Sequence, residues 1–239
     1  MADYSALLGA IPTIEHGFGN KGALLPEHLA RYQHTMPEKK QVHGTRIVDV
    51  TAPHQACGEA DGFYTTQPGI LLNVLTADCL PVLFSRRDGT AIGAVHAGWR
   101  GLLNGILECM AAHINRADST ANWVATIGPA AGACCYQVDE ALVEQFQQAL
   151  PLPAQLISSH YRHLDLAAIA ARKLQDLGFA GVDQAGSCTI CTLNQDPALP
   201  YRFKYTSFRR NSHRRAADPN HPGIKGRNQY AGIIMHQGK

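Results

Sequence analysis

The chain has 239 residues, 21 basic against 19 acidic side chains and a formal net charge of +2. That length is ample for a packed core, in one large domain or two small ones. A near-neutral, ordinary composition excludes a chain built as a whole for nucleic acid or acidic membrane surfaces, and no stretch is long and apolar enough to span a bilayer.

In chain order, Met1-Ala2-Asp3-Tyr4-Ser5 has neither a basic start nor an unbroken apolar core, so it does not read as a secretory signal. Residues 1–40 are mixed, with Gly17, Gly19 and Gly22 as loop markers. Short apolar runs over 45–50, 70–75, 80–84 and 91–95, each bounded by turn residues, predict strands, the last three buried on both faces. Leu102, Leu103, Ile106, Leu107, Met110 and Ile114 recur at helical spacing. Residues 123–127 predict a strand stopped by Gly128-Pro129, and 139–150 a helix with Asp139 in its first turn. Residues 165–177 predict another helix, closed by Gly178. Strands are expected within 182–192 and over 229–236. Strands and helices intersperse without strict alternation, which predicts an α+β fold: one domain over 1–239, with layered mixed β-sheets flanked by helices in an α/β/β/α sandwich.

The seven cysteines are odd in number and irregular in spacing. That argues against a disulfide framework and for a reducing compartment, the cytoplasm. The adjacent Cys134 and Cys135 read as partly buried thiols, ill-suited to ligating one metal together. Cys188-Thr189-Ile190-Cys191 has the spacing of half a zinc ribbon or a redox pair, but without a second such pair it reads as structural. The segment 202–227 carries eight Lys and Arg against Asp218 alone. It lacks the aromatic or helical context of a nucleic-acid stripe, and Phe208-Arg209-Arg210 reads equally as anion contacts or as a solvated basic loop.

Three residues stand apart. His43 precedes Gly44, Cys79 follows Asp78 at the start of an apolar run, and His96 ends another run before Gly98-Trp99-Arg100-Gly101. Singly, each has a bland explanation as a buried thiol or a hydrogen-bonded imidazole. Together, two imidazoles and a thiolate suit Zn²⁺ and leave a fourth position for water or substrate, the composition of a catalytic site. Arg100 beside such a site suits phosphate or carboxylate. Asp61 and Asp78 are candidates for acid–base work.

Six motifs then fall in one order: Gln41-Val42-His43-Gly44, Ala77-Asp78-Cys79-Leu80-Pro81-Val82, His96-Ala97-Gly98-Trp99-Arg100-Gly101, Ile127-Gly128-Pro129, Cys135-Tyr136-Gln137-Val138 and Ser207-Phe208-Arg209-Arg210. Over about residues 41–210 the chain resembles the laccase-domain, or multicopper polyphenol oxidase-like, proteins, some described as peptidoglycan editing factors and as purine nucleoside phosphorylases. The resemblance implies a single layered α+β domain with metal, generally zinc, at His43, Cys79 and His96. It implies phosphorolysis of adenosine, inosine and methylthioadenosine, with adenosine deamination alongside. Small-molecule partners, nucleoside and phosphate, follow, with Arg100, Arg209, Arg210 and Asp78 as candidate contacts and a monomer or homodimer as the assembly. The family's older description implies copper-dependent phenol oxidation instead; twelve histidines without a His-x-His pair argue against several copper centres. A third reading is a hydrolase, acting on peptidoglycan precursors, with Cys79 as nucleophile and His43 or His96 as base. The chain departs from the family near its start: an arginine-bearing loop is replaced by Gly19-Asn20-Lys21-Gly22-Ala23, where Lys21 is the available cation. The link from Arg210 to Arg227 is also longer than usual.

Overall fold

The computed structural model describes residues 3–238; Met1 and Ala2 of the N-terminal reading, and Lys239, lie outside them. The strands are β1 (Ile14–Phe18), β2 (Glu38–Lys40), β3 (Ile47–Asp49), β4 (Ala56–Glu59), β5 (Gly62–Thr65), β6 (Leu72–Thr76), β7 (Leu80–Arg86), β8 (Ile92–Ala97), β9 (Trp123–Ile127), β10 (Gly181–Gln184) and β11 (Gln229–Met235). The helices are α1 (Ala6–Gly9), α2 (Glu27–Ala30), α3 (Trp99–Leu103), α4 (Ile106–Ile114), α5 (Glu140–Ala149), α6 (Ala154–Ile157), α7 (Leu166–Asp176) and α8 (Phe208–Ala217).

A six-stranded sheet, ordered β10-β9-β7-β8-β5-β3, lies beside a three-stranded sheet, β1-β11-β6; β2 and β4 form a small third pair. The central pairings of the large sheet are antiparallel and its two outer pairings parallel. The two-residue period of a strand decides which core each side chain joins. On β7, Leu80, Val82 and Phe84 pack under the helices with Leu102, Leu107, Met110 and Ile169. Leu83 points the other way, toward Phe18, Leu72 and Ile233 of the smaller sheet. Leu29 of α2 closes the outer face of that sheet against Leu71 and Ile234. The layers are therefore α/β/β/α, as the interspersed pattern predicts. No described helix is long and apolar enough to cross a membrane.

Four local expectations differ. The helical run after Gly101 is two helices, because Gly105 takes φ 91° between α3 and α4. Of 182–192 only the first residues extend β10, and the rest is loop. Gly17 lies inside β1, opposite Gly232, where a Cβ would meet Pro26 and His28 at 3.0–3.1 Å. The segment after Ser207 is helical, not loop. Ser207 Oγ caps α8 by accepting from Arg210 N at 3.1 Å, and the helix buries no residue, so no apolar stripe advertises it.

His16 on β1 is buried, and its Nε2 accepts the backbone N–H of Ser5 at 2.8 Å. Protonating Nε2 would destroy that bond inside the core. Burial accordingly holds the imidazole pKa down to about 4. The unfolded chain, with an ordinary imidazole, takes up this proton first as pH falls. The stabilisation is thus complete above about pH 6.5 and lost progressively towards pH 4, about 3 kcal/mol across that window. Urea unfolding at pH 7 and pH 4.5 should show this loss in the native chain and a flatter dependence in His16→Gln.

Candidate functional site

Function collects at one end of the large sheet, where β7 and β5 begin and β8, β9 and β10 end. Asp78 and Cys79 form the corner by which the chain leaves β6 in one sheet and enters β7 in the other; Asp78 sits there at φ 91°. His96 lies near the end of β8, paired with Pro81. His43 comes from the loop before β3 and takes φ 60°. The structure brings the three together: their ligand atoms all lie within 4.8 Å of one another. Cys79 Sγ is 3.8 Å from His43 Nε2, and the imidazoles of His43 and His96 meet edge to face at 4.9 Å. Gly98 is required by this approach, since a Cβ there would lie 2.5 Å from His43 Cδ2 and 3.2 Å from Cys79 Sγ.

One buried carboxylate builds the cluster. Asp61, at the start of β5, accepts from the backbone N–H groups of Val42 (3.1 Å), His43 (3.0 Å) and Gly44 (2.8 Å) and from His96 Nδ1 (2.8 Å). It thereby fixes the left-handed turn at His43 and the ring of His96, leaving Nε2 of His96 for the cluster. Burial alone would raise the Asp61 pKa; hydrogen bonds from His96 and from the Gly44 and Val42 amides outweigh it and hold the carboxyl below its ordinary value. Burial also pushes the Cys79 thiol up, but His43 and His96 more than offset it and bring it to about 7. Burial pushes His96 down, and its bonds to Asp61 and Cys79 reverse that, to about 9. The three atoms therefore attract a cation, and a proton competes with a metal for them.

The cluster opens into a cavity of about 780 Å³, within the range that holds small molecules. Trp99, Tyr136, Phe208 and Tyr230 supply aromatic faces along it. Arg100 lines it and stacks on Trp99 at 4.4 Å. Arg209 lines it as well, over the Tyr136 ring at 5.0 Å and bonded to Gln137 O.

The remaining sequence candidates have other partners. Asp78 lines the cavity, but its carboxylate accepts from Thr189 Oγ1 (2.6 Å), Ser207 Oγ (3.0 Å) and Arg209 N (2.7 Å). Like Asp61, it positions its neighbours, and its oxygens are taken up by the protein rather than offered for acid–base work. Arg210 does not line the cavity: its guanidinium donates to the carbonyls of Thr189 and Ile190 and stacks on Phe203. It braces the 189–190 loop from outside the cavity. Lys21 also lies off the cavity, near Tyr201 and the Arg210, Arg214 and Arg227 side chains.

Lys39 joins Arg100 and Arg209 in lining the cavity, a residue that nothing in the charge run Glu38-Lys39-Lys40 singles out in the sequence. Burial lowers its pKa to about 8, and its Nζ bonds Asn73 Oδ1 at 2.6 Å. Asn73 Nδ2, also at the cavity, is buried with no partner, a donor waiting for an acceptor.

Fold and site together define a layered α+β protein with a His-Cys-His ligand cluster at a cavity of small-molecule size. The chain belongs to the multi-copper polyphenol oxidoreductase laccase family, whose model matches residues 20–214. It is 37% identical to the purine nucleoside phosphorylase YfiH of Shigella flexneri and 36% identical to that of Escherichia coli K12. Each alignment covers 71% of this chain and 69% of the relative. Among solved structures, YlmD from Geobacillus stearothermophilus superposes with a TM-score of 0.74 at 24% identity, over 95% of this chain and 93% of that one, a likeness of fold.

Proposed function

We propose that the chain is a zinc-dependent purine nucleoside phosphorylase acting on adenosine, inosine and S-methyl-5′-thioadenosine, with adenosine deamination as a side activity. The observation that carries this reading is the meeting of His43, Cys79 and His96 at an aromatic-walled cavity furnished with cations; the names of the relatives point the same way. Two imidazoles and a thiolate, with no fourth ligand in the cluster among the described residues, suit zinc and would keep one position open. A zinc ion held there would supply a Lewis-acid centre for a substrate oxygen or water.

The chain's own residues then do the rest. The aromatic faces take the purine, and Arg100 and Arg209 offer charge to phosphate. A phosphate oxygen bonds to the ribose anomeric carbon as the bond to the base nitrogen breaks, and the bonding pair leaves with the base. The base must be protonated or hydrogen-bonded as it leaves. Lys39, with its pKa near 8, is the donor we assign. Lys39→Met should lower kcat/KM by about 100-fold, as loss of a general acid does. In the native enzyme activity should fall as pH rises through about 8. In Lys39→Arg that alkaline limb should disappear, and its persistence would remove Lys39 from the role.

The reading is tested by metal removal. Chelator should abolish conversion of adenosine and phosphate to adenine and ribose 1-phosphate, and stoichiometric zinc should restore it; inosine formed without phosphate reports deamination. Unchanged turnover in metal-free protein would refute the reading. A cysteine hydrolase is the second reading, favoured by the depressed Cys79 thiol beside two imidazoles. It requires a covalent adduct on Cys79, which mass spectrometry of quenched reactions would detect. Copper oxidation over several centres finds little support, since the two ligand clusters among the described residues hold only two histidines between them.

A further inference from the structure

Four thiols that lie in two pairs more than fifty residues apart come together at the same end of the large sheet, outside the His43-Cys79-His96 cluster. β9 and β10 are parallel neighbours, so the loops that follow them leave the same end of the sheet. Cys134 and Cys135 stand in a turn after β9, and Cys188 and Cys191 in the loop after β10. All four Sγ atoms lie within 4.8 Å of one another, and none is in a disulfide. Cys134 and Cys191 are 3.7 Å apart. Four sulfurs around a zinc ion at about 2.3 Å define a tetrahedron with edges of about 3.8 Å. The adjacent pair, which by sequence does not suit a single metal, is turned so that both sulfurs reach the cluster.

Two further features belong to a ligand site. Cys188 Sγ accepts the backbone N–H of Gly132 at 3.3 Å and faces the amides of Ile190 and Cys191, an arrangement that stabilises a thiolate. Gly132 is packed so closely that a Cβ there would lie 3.3 Å from Cys188 Cβ and 3.4 Å from Cys134 Sγ.

We propose that Cys134, Cys135, Cys188 and Cys191 form a second metal centre, a closed four-thiolate zinc site distinct from the His43-Cys79-His96 cluster. Four sulfur–zinc bonds form as the thiol protons leave to solvent, giving a site of net charge −2 beside the Arg210 guanidinium. With four protein ligands it has no open position, so its work is structural. It clasps the two loops that wall the reactive cavity: Tyr136, next to Cys135, lines that cavity, and Thr189, between Cys188 and Cys191, holds Asp78 beside Cys79.

The test is metal stoichiometry in protein purified under reduction and loaded with Zn²⁺ or Co²⁺ alone. Native chain should bind two equivalents, and Cys79→Ala and the double variant Cys188→Ser/Cys191→Ser one each. Cobalt-loaded Cys79→Ala should keep the intense sulfur-to-cobalt charge-transfer band of four thiolates, whereas the double variant should show only the weaker band of the single Cys79 thiolate. A double variant that retains both equivalents, or a native chain that binds one equivalent abolished by Cys79→Ala, would overturn the proposal. Should the double variant fail to fold, alkylation of native protein decides. Bound Zn²⁺ should protect all four cysteines from iodoacetamide, and their full modification with zinc present would overturn the assignment.

Discussion

Cys79→Ala should lose the metal equivalent at the His43-Cys79-His96 cluster and lower kcat/KM for adenosine phosphorolysis on the order of 1,000-fold, the scale expected when a preorganised electrostatic centre is removed. Cys79 contributes the one anionic ligand of the three, so its removal leaves two imidazoles that are neutral ligands only while unprotonated. The effect on folding should be small, because the residue is only partly buried and Sγ is all that is lost. Cys79→Asp separates the readings of this residue. A carboxylate still ligates zinc, so under the metal account it should recover part of both metal content and rate; under the nucleophile account it should recover metal and no turnover. Elemental analysis beside steady-state kinetics measures both.

Asp61→Asn should have the largest effect on the architecture of the site. The carboxylate accepts four hydrogen bonds, two on each oxygen, and all four donors point inward. An amide has one acceptor oxygen, so its NH₂ must face two of those donors whichever way it is turned. Leaving buried donors unpaired costs about 1–3 kcal/mol each, so a loss of about 3 kcal/mol or more in urea unfolding is expected. Zinc affinity should fall roughly 10- to 100-fold, since the orientation of both His43 and His96 depends on this group. A change below about 0.5 kcal/mol with unaltered zinc affinity would show that Asp61 does not organise the cluster.

The triad was legible in the sequence because each member borders glycine or a turn at the end of an apolar run, and because its motifs recur together. The layered fold was legible from runs such as Leu80 to Phe84, whose length and apolarity require burial on both faces. What stayed hidden depends on long-range geometry. Asp61 invites an acid–base role until its four donors are seen. Lys39 looks solvated because its neighbours Glu38 and Lys40 are exposed and its burial comes from elsewhere. Arg210 looks like an anion contact because a guanidinium turned onto backbone carbonyls has no sequence signature. The four-cysteine cluster is assembled by the β9–β10 pairing, which spacing alone does not reveal. Helix α8 was missed because it is held by a serine cap and by the Asp78 contact with Arg209 N, and not by an apolar face.

The most direct test of the central claim is the product balance from adenosine as inorganic phosphate is varied, with zinc-loaded native protein. Adenine and ribose 1-phosphate should appear in equal amounts, at a rate that rises with phosphate and saturates. Free ribose in place of ribose 1-phosphate, or a rate indifferent to phosphate, would contradict the account.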